Sequence, residues 1–206
     1  MSGSGESRRP GDLDETTRKL LDAAAAAFVE HGYERAAVSD IARRAGVTTG
    51  AVYPRWPRKD DLMADAVDHI FHQILPEQRL EELGLDRLPA FNLISMWSAL
   101  LLRQDPAQEL LVQAFASART NETVHERLKR YLDTRGDQVE RIVERARSEA
   151  SNDPGFNTQA ITMMIQAVAI GMVFILSADL DERHMPPHEE WVRLNEAMLN
   201  VAFPQA

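Results

Sequence analysis

The sequence predicts an all-α fold of about nine helices, with a small three-helix head at the N-terminus and a larger helical bundle after it. Three observations carry that expectation. Apolar residues recur at helical spacing along most of the chain, and no stretch shows the strict alternation of a half-buried strand. Glycines and small capping residues punctuate these runs at helix-sized intervals. The 206 residues are 44% hydrophobic, enough apolar surface to build the core of one medium domain or two small ones.

Residues 1–11 are rich in Gly and Ser and are expected to be a disordered tail, whose first five residues fit a cloning remnant. Arg8 and Arg9 read as part of a solvated tail, with a minor-groove or backbone contact as the alternative. The first helix opens on Asp12 and Glu15, at capping-box spacing. It carries Leu20, Leu21, Ala24 and Phe28 on one face and stops at His31-Gly32, with Gly32 just past the cap.

The segment from Arg35 to Trp56 has the pattern of a helix-turn-helix. Ser39 is the expected N-cap of a short helix that turns Ile41, Ala42 and Ala45 to one side. Gly46 supplies the positive φ of a tight turn, Val47 plugs the gap between the helices, and Thr48 caps the next helix. Val52 points back to the core. Thr48, Thr49, Gly50, Tyr53 and Arg55 then face outward, and their hydroxyls, bare backbone and guanidinium suit phosphates and base edges of double-stranded DNA. Pro54 removes a backbone donor and biases Tyr53 away from helical geometry, so this second helix is expected to be short or distorted at its end.

A fourth helix opens at Lys59 and carries Leu62, Met63, Ala66, Val67 and Ile70. A polar, Glu-rich joint containing Pro76 and Pro89 follows. Leu93, Met96, Trp97, Leu100 and Leu101 mark a fifth helix. Asp105-Pro106 opens a sixth, with Leu110, Leu111, Ala114, Phe115 and Ala118 inward. A long seventh starts at Thr120 or Asn121 and runs to about Ala150, with Gly136 inside it as a candidate bend. Residues 160–178 carry no charge, a length near the lower limit for spanning a bilayer. Polar residues interrupt that run and Asp179 closes it. The expected reading is therefore a helix buried on one face by its own domain and on another by a second subunit, not a membrane span. A ninth helix after Pro186-Pro187 carries Trp191, Leu194, Met198 and Val201.

Charge is distributed unevenly. The whole chain carries −9, which alone argues against nucleic acid, but residues 35–59 carry six basic residues against Asp40, a local +5. A basic patch on an acidic body attracts phosphate at one end and orients docking. The chain has no cysteine and hence no disulfide or thiolate chemistry, which fits a reducing compartment. No signal peptide is apparent.

The run from Thr17 to Val67 resembles the DNA-binding domain of the TetR family of transcription regulators. The resemblance rests on Phe28 before His31-Gly32-Tyr33, on Val38-Ser39-Asp40-Ile41-Ala42, on Ala45-Gly46-Val47 and Gly50-Ala51-Val52-Tyr53, and on Trp56-Pro57-Arg58-Lys59 before Leu62. Trp56 stands where the family usually has Phe, and Pro54 also departs from the pattern. The resemblance implies residues 12–58 as DNA-binding domain and residues 59–206 as ligand-binding and dimerisation domain. It makes Lys59 a phosphate contact, beside Ser39 and Arg44 of the basic cluster. It also implies a homodimer on a palindromic operator, paired through the last two helices with Ile161, Val168, Met172, Ile175, Trp191, Leu194 and Met198 as candidate interface residues. An independent reason for a dimer is that helix-turn-helix half-sites recur about one DNA turn apart.

A small-molecule effector is the further implication, bound in the C-terminal bundle with Met96, Trp97, Phe115, Arg119, Met163, Met164 and Gln166 as candidate lining. The expected function is a ligand-responsive repressor in the bacterial cytoplasm, with no cofactor and no catalysis; an activator, a ligand-insensitive DNA binder or a helical carrier or enzyme are the alternatives. His69 and His72, near Asp65 and Asp68, have a spacing that could hold a metal but read better as the turns of a surface helix. His184 and His188 read as a solvated loop.

Overall fold

The computed structural model describes residues 14–74, 76–102, 106–152 and 155–205. Among these residues there are nine α-helices and no strand. The chain divides into two compact units, the first ending at His69 and the second beginning at Ile70.

In the first unit, α1 (Glu15–Arg35) opens on Asp14, whose carboxylate accepts the Thr17 backbone N–H at 2.9 Å and its hydroxyl at 2.7 Å. The cap is therefore Asp14 and not Asp12, which lies outside the described residues. Gly32 breaks the helix with φ 74° and ψ 168°, a backbone that a side chain would strain, and only a short turn continues to Arg35. α2 (Val38–Arg44) follows, then a single 3₁₀ turn, Thr49–Ala51, and then α3 (Lys59–Gln73). Leu20, Ala24, Phe28, Ile41, Val52, Leu62, Met63 and Ala66 are all at most 1% exposed and form the core of the head.

In the second unit, α4 (Pro76–Leu83) occupies what the sequence suggested was a polar joint. Pro76 is its first residue, where the missing N–H costs nothing, and Leu80 is its buried anchor. α5 (Ala90–Leu100), α6 (Pro106–Ala118), α7 (Glu122–Glu149), α8 (Thr158–Leu176) and α9 (His188–Ala202) complete the bundle. Asn121 caps α7 through Val124 N–H at 3.0 Å, and Asn157 caps α8 through Ala160 N–H at 2.7 Å. Asp105, the expected cap of α6, lies outside the described residues. The main core joins Leu80, Leu93, Ile94, Val139, Val143, Ile161, Leu199 and Phe203 from five helices and the segment after α9. Phe71 stacks on Tyr131 with ring centres 4.4 Å apart, and Phe115 meets Phe174 edge-on at 5.2 Å.

Gly136 does not bend α7, which runs uninterrupted past it. A Cβ at this position meets only the Gln166 amide, at 3.5 Å, an ordinary contact. Gly136→Ala is therefore expected to stabilise the protein by about 0.5–1 kcal/mol through helix propensity, read as a raised melting temperature.

Candidate nucleic-acid interface and effector cavity

The head builds its outward turn from two tight backbone devices. At the end of α2, Gly46 (φ 71°) donates its N–H to Arg43 O at 3.2 Å and Val47 donates to Ala42 O at 3.0 Å. This pair of bonds is a Schellman closure, and it turns the chain sharply at the glycine. The second device is the 3₁₀ turn itself, where Ala51 N–H reaches Thr48 O at 2.9 Å and Val52 N–H reaches Thr49 O at 3.1 Å. Beyond it Arg55 and Trp56 both donate to Val52 O, at 2.9 and 3.0 Å. No α-helix forms across Thr48–Arg55. Pro54 has no N–H to give the Gly50 carbonyl, so the chain turns instead of extending the helix.

Two capping assignments change. Ser39 lies inside the first turn of α2, whose N-cap is Ala37, and it makes no capping bond. Thr48 precedes the 3₁₀ turn without a side-chain capping bond. Both hydroxyls are exposed, as are Gly50 and Tyr53, the latter at 50%. Val52 and Trp56 pin the turn from behind. Trp56 is buried, and its indole N–H donates to Asp65 at 2.9 Å, a bond that a phenylalanine could not make.

The cations are more heavily engaged than their number suggests. Arg44 makes a bidentate pair with Glu30 at 2.6 Å on both oxygens and a further bond to Asp40 at 2.7 Å, so it ties α2 to α1 and does not reach outward. Arg55 likewise folds back: Nε donates to the Thr17 hydroxyl at 3.1 Å, one Nη to Ala51 O at 3.1 Å and the other to Asp14 at 3.4 Å. Lys59 donates to Glu34 O at 2.7 Å and satisfies a carbonyl at the end of α1. Arg43 and Arg58 each touch one aspartate, Asp40 and Asp60, yet their side chains remain 75% and 72% exposed. They are open cations of this head, and the sequence had not singled them out.

These pairings shift protonation. The hydrogen bond from Arg44 holds Glu30 below the usual carboxylate range. Desolvation pushes Asp40 upward, but the hydrogen bonds from Arg44 and Arg43 outweigh it and the carboxyl ends lower than normal. The hydrogen bonds from Glu30 and then Asp40 raise the Arg44 guanidinium further. A carboxylate with a lowered folded-state pKa stabilises above its unfolded value and loses that contribution as pH falls through the folded one. The melting temperature of the head is thus expected to be flat from pH 7 to about 5 and to drop below about pH 4. In Arg44→Ala the part of that drop due to Glu30 should shrink most and the part due to Asp40 should be reduced but kept by Arg43, which thermal melts in a pH series check.

His69 receives no metal role from this geometry. Its ring nitrogen lies 3.0 Å from Asp22, and Asp65 serves Trp56. No cluster of three metal-ligating side chains occurs among the described residues.

In the second unit a cavity of about 320 Å³ lies between α5, α7, α8 and α9. Met96, Trp97 and Met164 line it, as the sequence suggested. Four other candidates do not. Phe115 packs on Phe174, Arg119 is exposed, Met163 is 65% exposed on the outer side of α8, and the Gln166 carbonyl accepts from Arg135 at 3.2 Å. The sequence missed Arg135, Ser98, Gln108 and Asn195, the polar members of the lining.

α8 and α9 leave large apolar side chains exposed: Val168, Phe174, Ile175, Leu194, Met198 and Val201 are each at least 36% exposed, and Val168 and Met198 also line the cavity. Two candidate interface residues face inward instead. Ile161 is 3% exposed and belongs to the bundle core, and Trp191 is half-buried, its indole donating to Ser98 O at 2.7 Å. Met172 is half-buried. α8 is long and apolar enough to cross a membrane by length and composition alone.

A compact head that thrusts a polar turn outward from a buried core, followed by a helical body with a lined cavity, defines the class of helix-turn-helix proteins with an appended bundle. Residues 20–66 match the family described as bacterial regulatory proteins, tetR family. The A-factor receptor protein of Streptomyces griseus is 46% identical over 54 residues, 26% of this chain and 20% of that one. An uncharacterised HTH-type transcriptional regulator of Mycobacterium tuberculosis is 38% identical over 76 residues, 37% of this chain and 39% of that one. These matches span well under half the length of either relative. The transcriptional regulator FadR from Bacillus subtilis, solved in complex with stearoyl-CoA, has the same fold with a TM-score of 0.64, at 18% identity over 92% of this chain and 98% of that one. The amino-terminal segment thus matches the DNA-binding domain of the TetR family, and the fold of the chain is shared with solved transcriptional regulators such as this one.

Proposed function

We propose that this protein is a homodimeric transcription repressor that binds a palindromic DNA operator and releases it when a small molecule occupies the bundle cavity. The observation that carries the reading is the exposed Thr48–Tyr53 turn, mounted on a buried core and flanked by open cations. Thr48, Thr49, Gly50 and Tyr53 are the residues proposed to reach base edges and phosphates. Ser39, Arg43, Arg58 and Lys59 are proposed to hold the backbone. Arg44 and Arg55 shape the head, and any contact they make with DNA costs them existing partners.

Dimerisation is supported by the apolar side chains that α8 and α9 leave in solvent. Several exposed apolar side chains on two neighbouring helices are the signal of an interface. Effector control is supported by the cavity, whose mostly apolar wall with a few polar groups suits a small ligand. By linkage, an occupant that binds more tightly to a conformation with mismatched reading heads lowers operator affinity by the same factor. The matched relatives are bacterial and include an HTH-type transcriptional regulator, which supports a regulatory role in the cytoplasm.

The test is binding of specific and random duplexes by two variants. Lys59→Ala is expected to weaken both alike and to lower the salt slope by about 1, whereas Thr49→Ala should cost about 1–3 kcal/mol on the preferred sequence only. Equal losses on both duplexes for both variants would remove the division between backbone and base contacts.

A further inference from the structure

Among the described residues the cavity carries one charge, and no carboxylate among them neutralises it. Of the described residues that line it, Arg135 alone is ionised. Its guanidinium is half-buried, and one Nη donates to the Gln166 amide oxygen at 3.2 Å. It also lies beside the buried Tyr131 hydroxyl, whose pKa burial raises and Arg135 pulls back. Among the described residues no carboxylate pairs with it, unlike Arg44, Arg141 and Arg145. A guanidinium has five N–H donors, so Gln166 and Tyr131 leave several without a partner. The other polar lining groups have little left to donate. Ser98 gives its hydroxyl proton to Ser95 O at 2.7 Å, and Asn195 gives its amide to Trp191 O at 2.7 Å. Gln108 is likewise engaged. The rest of the wall is apolar, including Ile94, Met96, Trp97, Val139, Met164 and Leu199.

Resting on the reading of this cavity as the effector site, we propose that the effector is an amphipathic monoanion, a carboxylate whose head pairs with Arg135 and whose apolar body lies along Trp97 and the methionines. A planar fork of donors in a largely apolar cavity matches a carboxylate in two parallel hydrogen bonds and rejects a cation. A single guanidinium does not balance a polyphosphate, which would need several cations where the described wall offers one. The volume of about 320 Å³ falls at the small end of ligand sites, so the body is short.

Isothermal titration of the full-length protein with three matched probes, 6-phenylhexanoate, 6-phenylhexan-1-ol and 6-phenylhexylamine, tests the assignment. The carboxylate is expected to bind at one site per chain and at least tenfold more tightly than the alcohol, and the amine more weakly still. Arg135→Gln should erase the preference for the carboxylate while alcohol binding and the far-ultraviolet dichroism stay as they are. Alcohol bound as tightly as the carboxylate, amine preferred, or a carboxylate affinity unchanged in Arg135→Gln overturns the anion assignment and leaves the cavity as a ligand site. Failure of all three probes to bind overturns the assignment together with the effector reading of the cavity.

Discussion

Glutamate at both Ile175 and Leu194 is expected to yield a folded monomer that has lost about 10²–10⁴-fold in affinity for a palindromic duplex. Both side chains stand in solvent in the single chain, 49% and 54% exposed, so neither substitution removes a core contact. The helical dichroism and the binding of effector-class probes should therefore survive. In a dimer the same positions would place four carboxylates in an apolar interface, where each desolvated charge costs several kcal/mol. The loss in DNA affinity follows from geometry. One head presents only a short turn to the groove, and the second head binds at a high effective concentration once the first has docked. Sedimentation of the variant alone and anisotropy with a labelled duplex measure the two effects separately. A dimeric double variant would remove this face of α8 and α9 from the interface.

Phe28→Ala has the next largest expected effect. Phe28 is fully buried, and its ring meets Tyr33 edge-on at 6.2 Å. Truncating a buried phenylalanine costs about 3–5 kcal/mol through lost transfer energy and the cavity left behind. A unit of this size holds only a few kcal/mol of stability in total. The head is therefore expected to unfold near room temperature and to abolish DNA binding. The bundle has its own core around Leu93, Val143 and Phe203, so most of the helical signal should persist. A melt with an early transition for the head and a later one for the bundle checks this.

The helical periodicity of Leu20 to Phe28, or of Val124 to Val143, states which face is buried, and the structure follows it. Gly32 and Gly46 were readable because only a residue without Cβ adopts their positive φ cheaply. Where reading failed, a tertiary partner decided. α4 hid behind Pro76 and a run of glutamates, since one buried Leu80 is too little periodicity to see. Ser39 looked like a cap, yet the chain enters α2 two residues earlier, from Ala37. The partners of Arg44 and Arg55 were not legible, because composition counts charges without their partners, and Glu30, Asp14 and Thr17 come from far along the chain. Arg135 was invisible as a cavity residue for the same reason. On α7 it is one of many arginines, and only the approach of α8 at Gly136 sets Gln166 beside it.

The most direct test of the proposed function is selection of bound fragments from random duplexes by the full-length protein, followed by titration of the enriched site at several salt concentrations. The expected outcome is an inverted repeat with half-sites about 10 base pairs apart or a multiple of that, occupied by two chains, with affinity falling steeply as salt rises. A single chain that retains no duplex, at any salt concentration down to a few millimolar, would contradict it.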